Sequence, residues 1–224
     1  MRKTCYRAAK RLLDVVLALP AVVLLLLPWA VIACIIKLQS PGPAVYKPKR
    51  VGLNGKEFTL YKFRSMRVDS GRIRATTLRG DDRIFPFGRF LRNSKLDETL
   101  QLINILKGEM SIIGPRPEDV ENSRLYYVGK YRDILSAKPG LSSPASLYDY
   151  THGEKYPSEA EYVRDFLPKK LDVERYYVLH QSLGYDARIL FRTAAVIVQM
   201  MCGREDFEEP QELRRMRMEE AEST

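Results

Sequence analysis

From Val15 to Ile36 the chain carries no charged side chain, and Asp14 and Lys37 bound the run. A helix over these positions, at about 1.5 Å of rise per residue, reaches about 33 Å, enough to cross the hydrocarbon core of a bilayer. Length alone therefore predicts a straight transmembrane helix. Pro20 and Pro28 disturb that reading, because each removes a backbone donor and crowds the preceding turn. The flanks disturb it further. Arg2, Lys3, Arg7, Lys10 and Arg11 precede the run, and Lys37, Lys47, Lys49 and Arg50 follow it. A span would place one basic cluster outside, against the positive-inside tendency. A helix that enters, breaks at Leu27-Pro28 and returns to the same face keeps both clusters in the cytoplasm. No small-residue cleavage site follows the run, which argues against a signal peptide.

After the helix-breaking Ser40-Pro-Gly-Pro, the pattern turns to β-prone stretches, AVYKPKRVGL and KEFTLYKFRSM, separated by Asn54-Gly55. That dipeptide predicts a hairpin, since both residues tolerate positive φ. Alternation in the second stretch puts Phe58, Leu60, Lys62 and Arg64 on one face. Residues 67–83 read as a basic loop. Periodicity then returns in SKLDETLQLINILKG, with Leu96, Leu100, Ile103 and Leu106 on one helical face and Asp97, Gln101 and Asn104 on another. Ser94 is the expected N-cap, with Asp97 three residues on, and Gly108 the expected stop. Further along, DARILFRTAAVIVQMM fits a core helix and an interfacial membrane helix equally well. Beyond Gly203 little is apolar, and a solvated tail is expected. The predicted fold is α+β and mostly helical: residues 1–39 membrane-associated, 40–202 a catalytic domain, and 203–224 a charged tail.

Charge narrows the partners. The 224 residues carry a formal charge of +9 with a pI near 9.4, which calls for nucleic acid, an anionic bilayer or a phosphorylated substrate. Residues 41–95 hold fourteen Lys or Arg against four acids, Glu57, Asp69, Asp81 and Asp82. The positive field thus belongs to the segment leading into Asp97. Cys5, Cys34 and Cys202 are too few and too scattered for a disulfide framework, and His152 and His180 have no cysteine at zinc-ligand spacing.

Asp97 and Glu98 stand side by side at the start of the helix. The bland account is capping, because acids are stabilised in a first turn. Two adjacent carboxylates at a partly buried helix start also repel and raise one pKa unless a cation sits between them. Mg²⁺ suits oxygen ligands and commonly bridges carboxylate to phosphate. In IIGPRPED the prolines hold Gly114 and Arg116 extended, which presents Arg116 as a fork for a phosphate.

With AAKRLLDVVLA, YKFRSM, GRFLRNSKLDETLQLINILKGEMSIIGPRP, KPG and the helix near Arg188–Gln199 in this order, the chain resembles the monotopic polyprenyl-phosphate phosphoglycosyl transferases, the bacterial sugar transferase family, over roughly residues 6–200. The resemblance implies transfer of a phosphosugar from a UDP-sugar to a polyprenyl (undecaprenyl) phosphate at the cytoplasmic face of the bacterial inner membrane, releasing UMP. Asp97 matches the nucleophile and Glu98 the second acid of the dyad, both beside Mg²⁺. Lys62, Arg64, Arg92 and Arg116 are the expected phosphate holders, and the re-entrant helix accounts for Leu27-Pro28. The chain resembles a minimal member that begins at the catalytic unit. UDP-sugar, polyprenyl phosphate and the membrane leaflet are the expected partners, nucleic acid is not, and homo-oligomer formation stays open.

Two departures bear on what carries over. Leu27-Pro28 stands where the family usually has Ser-Pro, and PGLSSPASLYDYTHGEKYPSE from Pro139 replaces the usual sequence after Pro-Gly, so the sugar is not implied. Two other classes also use parts of this pattern. A membrane-anchored binder of nucleic acid or acidic proteins would use the basic segment but not the dyad. A phospho-aspartate phosphohydrolase would share the nucleophile and pass the phosphoryl group to water.

Overall fold

The computed structural model describes residues 2–67, 83–156 and 158–222. The expected basic loop lies, apart from its ends, outside the described residues. As the pattern predicts, the fold is mostly helical with small two-stranded sheets. Its two compact units are Met1–Arg50 with Phe58–Ile112, and Val51–Glu57 with Ile113–Thr224.

In the first unit α1 runs from Arg2 to Gln39 as one helix with Pro20 and Pro28 inside it. The expected break at Leu27-Pro28 therefore does not divide it into two helices; a single missing donor leaves the turns on either side able to continue. Burial does divide it. Asp14 and Ala18 are buried before the prolines, Trp29, Ile32 and Ile36 after them, and between positions 19 and 28 no residue is buried. Leu24 and Leu27, at 77% and 74% exposed, mark the middle of this bare apolar stretch.

The β-prone stretches form four short strands, β1 (Val45–Tyr46), β2 (Lys49–Val51), β3 (Glu57–Thr59) and β4 (Lys62–Phe63). β1 and β4 pair antiparallel, Val45 with Phe63 and Tyr46 with Lys62. Asn54 and Gly55 take φ of 56° and 78°, as a tight turn requires. The alternation expected from Phe58 to Arg64 fails after Leu60. There the chain leaves β3, and Phe63 rather than Lys62 turns inward, 1% exposed.

α2 (Pro86–Asn93) packs so closely on the end of β4 that a side chain at Gly88 would strike the Ser65 backbone. Ser94 ends α2 and does not begin the next helix: its hydroxyl donates to the Phe90 carbonyl at 2.8 Å. The capping expectation is corrected accordingly. A short 3-10 turn (Leu96–Glu98) leads into α3 (Gln101–Lys107), which Gly108 closes at φ 82°.

The expected faces of this segment are also corrected. Asp97, Gln101, Asn104 and Ile105 are buried, while Leu96, Ile103 and Leu106 are only half-buried. Asn104 gains from burial by tying α3 to the strands. It accepts from Tyr61 N–H at 3.0 Å and donates to the Thr59 carbonyl and to Glu109, each at 2.7 Å. Satisfied polar groups of this kind can be buried without net loss.

In the second unit β5 (Ser111–Ile113) runs into the Gly114-Pro115-Arg116-Pro117 loop. Gly114 and Gly140 approach so closely that a side chain on either would meet the other's backbone. Gly114 N–H donates to Ser142 at 3.0 Å and Gly140 N–H to Pro115 at 2.8 Å. The GPRP and KPG motifs thus form one structural element, with β6 (Gly140–Ser142) as its second side.

Around this element lie α4 (Val120–Tyr126), α5 (Pro144–His152), the single turn α6 (Glu159–Glu161), α7 (Leu167–Leu179), α8 (Leu183–Met201) and α9 (Gln211–Glu222). Asp119, Ser143, Ser158 and Ser182 cap the N-termini of α4, α5, α6 and α8. α9 overturns the expectation of a wholly solvated tail. Leu213 joins Ala145, Tyr148, Phe166 and Val173 in the core, and Glu212 is 3% exposed.

Candidate active site

Asp97 and Glu98 occupy the 3-10 turn between α2 and α3. Lys95 stands before it in the left-handed conformation, φ 57°, a sharp reversal uncommon for a residue with a side chain. This reversal lets α2 and the dyad approach each other over a two-residue link. Thr99 fixes the other end of the turn. Its hydroxyl donates to the Leu96 carbonyl at 2.7 Å and accepts from the Trp29 indole N–H at 2.9 Å.

Asp97 is 3% exposed, and its Oδ1 has no hydrogen-bond partner. A buried carboxylate oxygen normally finds a donor, so an orphan is a functional signal. Burial, and next the neighbouring Glu98, push the Asp97 carboxyl up to about 6, against the pull of Lys62, Arg92 and Lys95. The site therefore contains a nucleophile-grade oxygen that is ionised at neutral pH and weakly solvated, facing three cations. Gln101, one turn further along the same face, also keeps a buried Oε1 without a partner.

Of the expected phosphate holders, Lys62 and Arg92 are brought to the dyad. Arg64 is not free for a ligand: it is 5% exposed and donates to the carbonyls of Pro41 and Ser40, both at 2.6 Å, fastening the end of α1 to β4. Arg116 belongs to the second unit. There its N–H donates to Glu174 at 2.8 Å, and its guanidinium donates to the Tyr150 hydroxyl at 3.1 Å and lies over that ring. Glu174, 1% exposed, also accepts from Ser143, and burial pushes its carboxyl up to about 7. Leu27 and Pro28 lie in the bare stretch of α1, next to Trp29.

Sequence reasoning passed over Lys95, Trp29, Thr99, Gln101 and Glu174. Two of them carried a signal. Lys95 is two residues from Asp97, and Trp29 is the chain's one tryptophan and follows Pro28 directly.

Among the described residues no group of three or more His, Cys, Asp or Glu gathers as a metal cage. A divalent cation held by one or two carboxylates, with substrate phosphate and water completing its shell, needs none. The orphaned oxygens of Asp97 and Gln101 suit such an ion.

A cation-ringed carboxylate dyad, joined to a long apolar helix, defines a membrane-associated centre for phosphate chemistry. The profile of the family described as bacterial sugar transferase matches residues 5–200, and the chain belongs to that family. It is 35% identical over 201 residues to a UDP-glucose:undecaprenyl-phosphate glucose-1-phosphate transferase of Xanthomonas campestris pv. campestris, with 88% of this chain and 40% of the relative covered. It is 38% identical to a Caulobacter vibrioides protein of the same name, covering 82% and 67%. A UDP-N-acetylgalactosamine-undecaprenyl-phosphate N-acetylgalactosaminephosphotransferase of Aeromonas hydrophila is 35% identical, covering 86% and 44%. The chain thus spans well under half the length of two of these relatives. They also differ in the sugar they are named for at equal identity, so likeness does not select one.

Proposed function

We propose that this chain transfers a phosphosugar from a UDP-sugar to polyprenyl phosphate through a covalent intermediate on Asp97. In the first half-reaction the Asp97 carboxylate attacks the β-phosphorus. An oxygen–phosphorus bond forms, the bond from that phosphorus to the bridging oxygen breaks, and UMP leaves with the electron pair. In the second, a phosphate oxygen of the polyprenyl phosphate attacks the same phosphorus. The aspartyl oxygen–phosphorus bond breaks, the carboxylate is restored, and polyprenyl-diphosphate sugar is the product.

The observation that carries this reading is the buried, unpartnered Asp97 Oδ1 facing Lys62, Arg92 and Lys95. Those cations hold the diphosphate and offset charge as it develops on the leaving phosphate. Mg²⁺, bound by Asp97 and Glu98 with Gln101 beside them, supplies Lewis-acid neutralisation of the diphosphate. Arg116, anchored through its backbone by Glu174, offers a second phosphate contact, and Arg64 positions β4 rather than the substrate.

In this proposal α1 is re-entrant, and the catalytic unit lies at the cytoplasmic face of the inner membrane. Both arms of α1 are tied to the same unit. Arg11 donates to the carbonyls of Ile105 and Leu106 at 2.5 and 2.8 Å, and Asp14 accepts from Ser111 and Ile112. Beyond the bare stretch, Trp29 reaches Thr99, and Gln39 accepts from Phe87 N–H at 3.0 Å. A straight span would require that one unit to be present on both faces of the bilayer.

The test is a screen of UDP-sugars with Mg²⁺, read as UMP release with and without undecaprenyl phosphate. Stoichiometric UMP release and labelled protein in the absence of lipid support the covalent route. Full turnover with lipid but no half-reaction without it would leave direct displacement as the mechanism.

A further inference from the structure

The geometry points to a binding site for the headgroup phosphate of an anionic phospholipid, built where α9 closes over α8. This site is separate from the dyad and does not depend on the transferase reading. Arg188, Arg192, Glu212 and Arg215 line a cavity of about 70 Å³ there, with Tyr176 and Tyr185 among its walls. α9 begins at Gln211 and so lies outside the residues matched to the family.

The charges in the cavity are unequally engaged. Glu212 is buried and fully occupied, accepting from the Tyr185 hydroxyl at 2.9 Å and from Arg192 at 2.9 and 3.1 Å. One arginine is thereby neutralised. Arg188 and Arg215 both line the same cavity, are exposed, and make no ion pair among the described residues. Two open guanidinium forks around a water-sized space suit a phosphate, which accepts in the bidentate geometry that arginine presents.

The helix that carries Arg188 decides the source of that phosphate. Leu183, Leu190, Phe191, Val198 and Met201 are all exposed, with Phe191 at 75%. At 100° per residue they form a single stripe along the length of α8, and Arg188 lies at its edge on the side of the cavity. A free phosphate would satisfy the arginines and leave the stripe in water. A phospholipid satisfies both, with acyl chains against the stripe and the phosphate drawn to its basic border, as in a helix lying at a membrane interface.

The experiment uses the full chain in a non-ionic detergent, with retained lipid counted by native mass spectrometry. The probes are phosphatidylglycerol, phosphatidylcholine and inorganic phosphate. The wild type should retain phosphatidylglycerol in preference to phosphatidylcholine. In Arg188→Gln/Arg215→Gln that affinity should fall about thirtyfold, the loss of about 2 kcal/mol expected for two basic side chains at an anionic surface. Arg214→Gln/Arg217→Gln removes two exposed arginines of the same helix that pair with Glu208 and Glu209, and should leave retention unchanged.

An equal fall in both double variants would reduce the effect to general surface charge and overturn the site. Unchanged retention in Arg188→Gln/Arg215→Gln would overturn it directly. Full displacement of the lipid by millimolar inorganic phosphate would overturn the lipid as the ligand. Both replaced arginines are exposed, so loss of fold is not expected, and each single variant, expected to show part of the fall, gives a second reading if the double variant is unstable.

Discussion

Trp29 donates its indole N–H to the Thr99 hydroxyl at 2.9 Å, which fastens the residue after Pro28 to the residue after Glu98. Through the same hydroxyl, Thr99 closes the turn that carries the dyad. The apolar helix and the proposed nucleophile thus share one hydrogen-bonded joint. If that joint sets the orientation of the dyad, Trp29→Phe and Thr99→Val should each lower kcat severalfold, since one net hydrogen bond contributes about 1 kcal/mol. The double variant should be no worse than either single one, because both remove the same contact. Additive losses in kcat would show that the two residues act separately.

Asp97→Asn should abolish UMP release and leave the protein folded, since the amide matches the acid in size and cannot attack phosphorus. It should also stabilise the fold. The Asp97 carboxyl is raised from 3.8 to about 6, so ionisation costs the folded state more than the unfolded one. That cost is absent below about 3.8, grows between about 3.8 and 6, and is complete above, where it amounts to roughly 3 kcal/mol at most. Thermal melts at pH 7.5 should place the variant above the wild type, and melts at pH 4 should bring the two together. A lower Tm at pH 7.5 would count against burial as the dominant influence on Asp97.

The same shift governs activity. Attack requires the ionised carboxylate, so the UMP-forming half-reaction should rise with pH through about 6 and level off above it. Lys62 opposes the upward shift, and Lys62→Met should therefore move the midpoint to higher pH as well as weaken nucleotide binding. A midpoint unchanged in Lys62→Met would exclude Lys62 from the electrostatics of the dyad.

How far the sequence revealed all this depends on the kind of signal. The apolar run, the Asn54-Gly55 turn and the Gly108 stop were legible because each rests on a local backbone or solvation rule. Asp97 and Glu98 were legible as neighbours. Their burial was not, because the helical wheel assigned Gln101 and Asn104 to a solvent face, and only the strands supply the Tyr61 N–H and Thr59 carbonyl that satisfy Asn104. Arg64 reads from sequence as a phosphate ligand because a cation alternating on a strand resembles one; its partners, the Ser40 and Pro41 carbonyls, exist only once α1 has folded back to β4. The α9 contacts were missed for a similar reason. One leucine among many charges carries no periodic signal, yet Leu213 and Glu212 suffice to dock the helix.

The placement of α1 gives the prediction with the widest consequence. Its two arms meet one unit, at Arg11 and Asp14 on one side and at Trp29 and Gln39 on the other. The stretch without burial between them, positions 19–28, is centred between the arms and carries both prolines. At about 1.5 Å per residue these ten positions extend about 15 Å, too short to cross a core of about 30 Å and long enough to enter one leaflet. Basic residues on both flanks favour the same face. Single cysteines replacing Lys3 or Lys47, in a background without Cys5, Cys34 and Cys202, should therefore both resist an impermeant thiol reagent in intact cells and both react once the membrane is opened. Reaction at position 3 from outside, with position 47 protected, would establish a full span and leave the chemistry at Asp97 untouched. Pro28→Leu restores a backbone donor in the bare stretch and lengthens the uninterrupted apolar helix, so it should shift part of the population toward that span. Because Trp29 follows at once, the shift would also draw Trp29 from Thr99, and the fraction of molecules labelled at position 3 should match the fraction of UMP-forming activity lost.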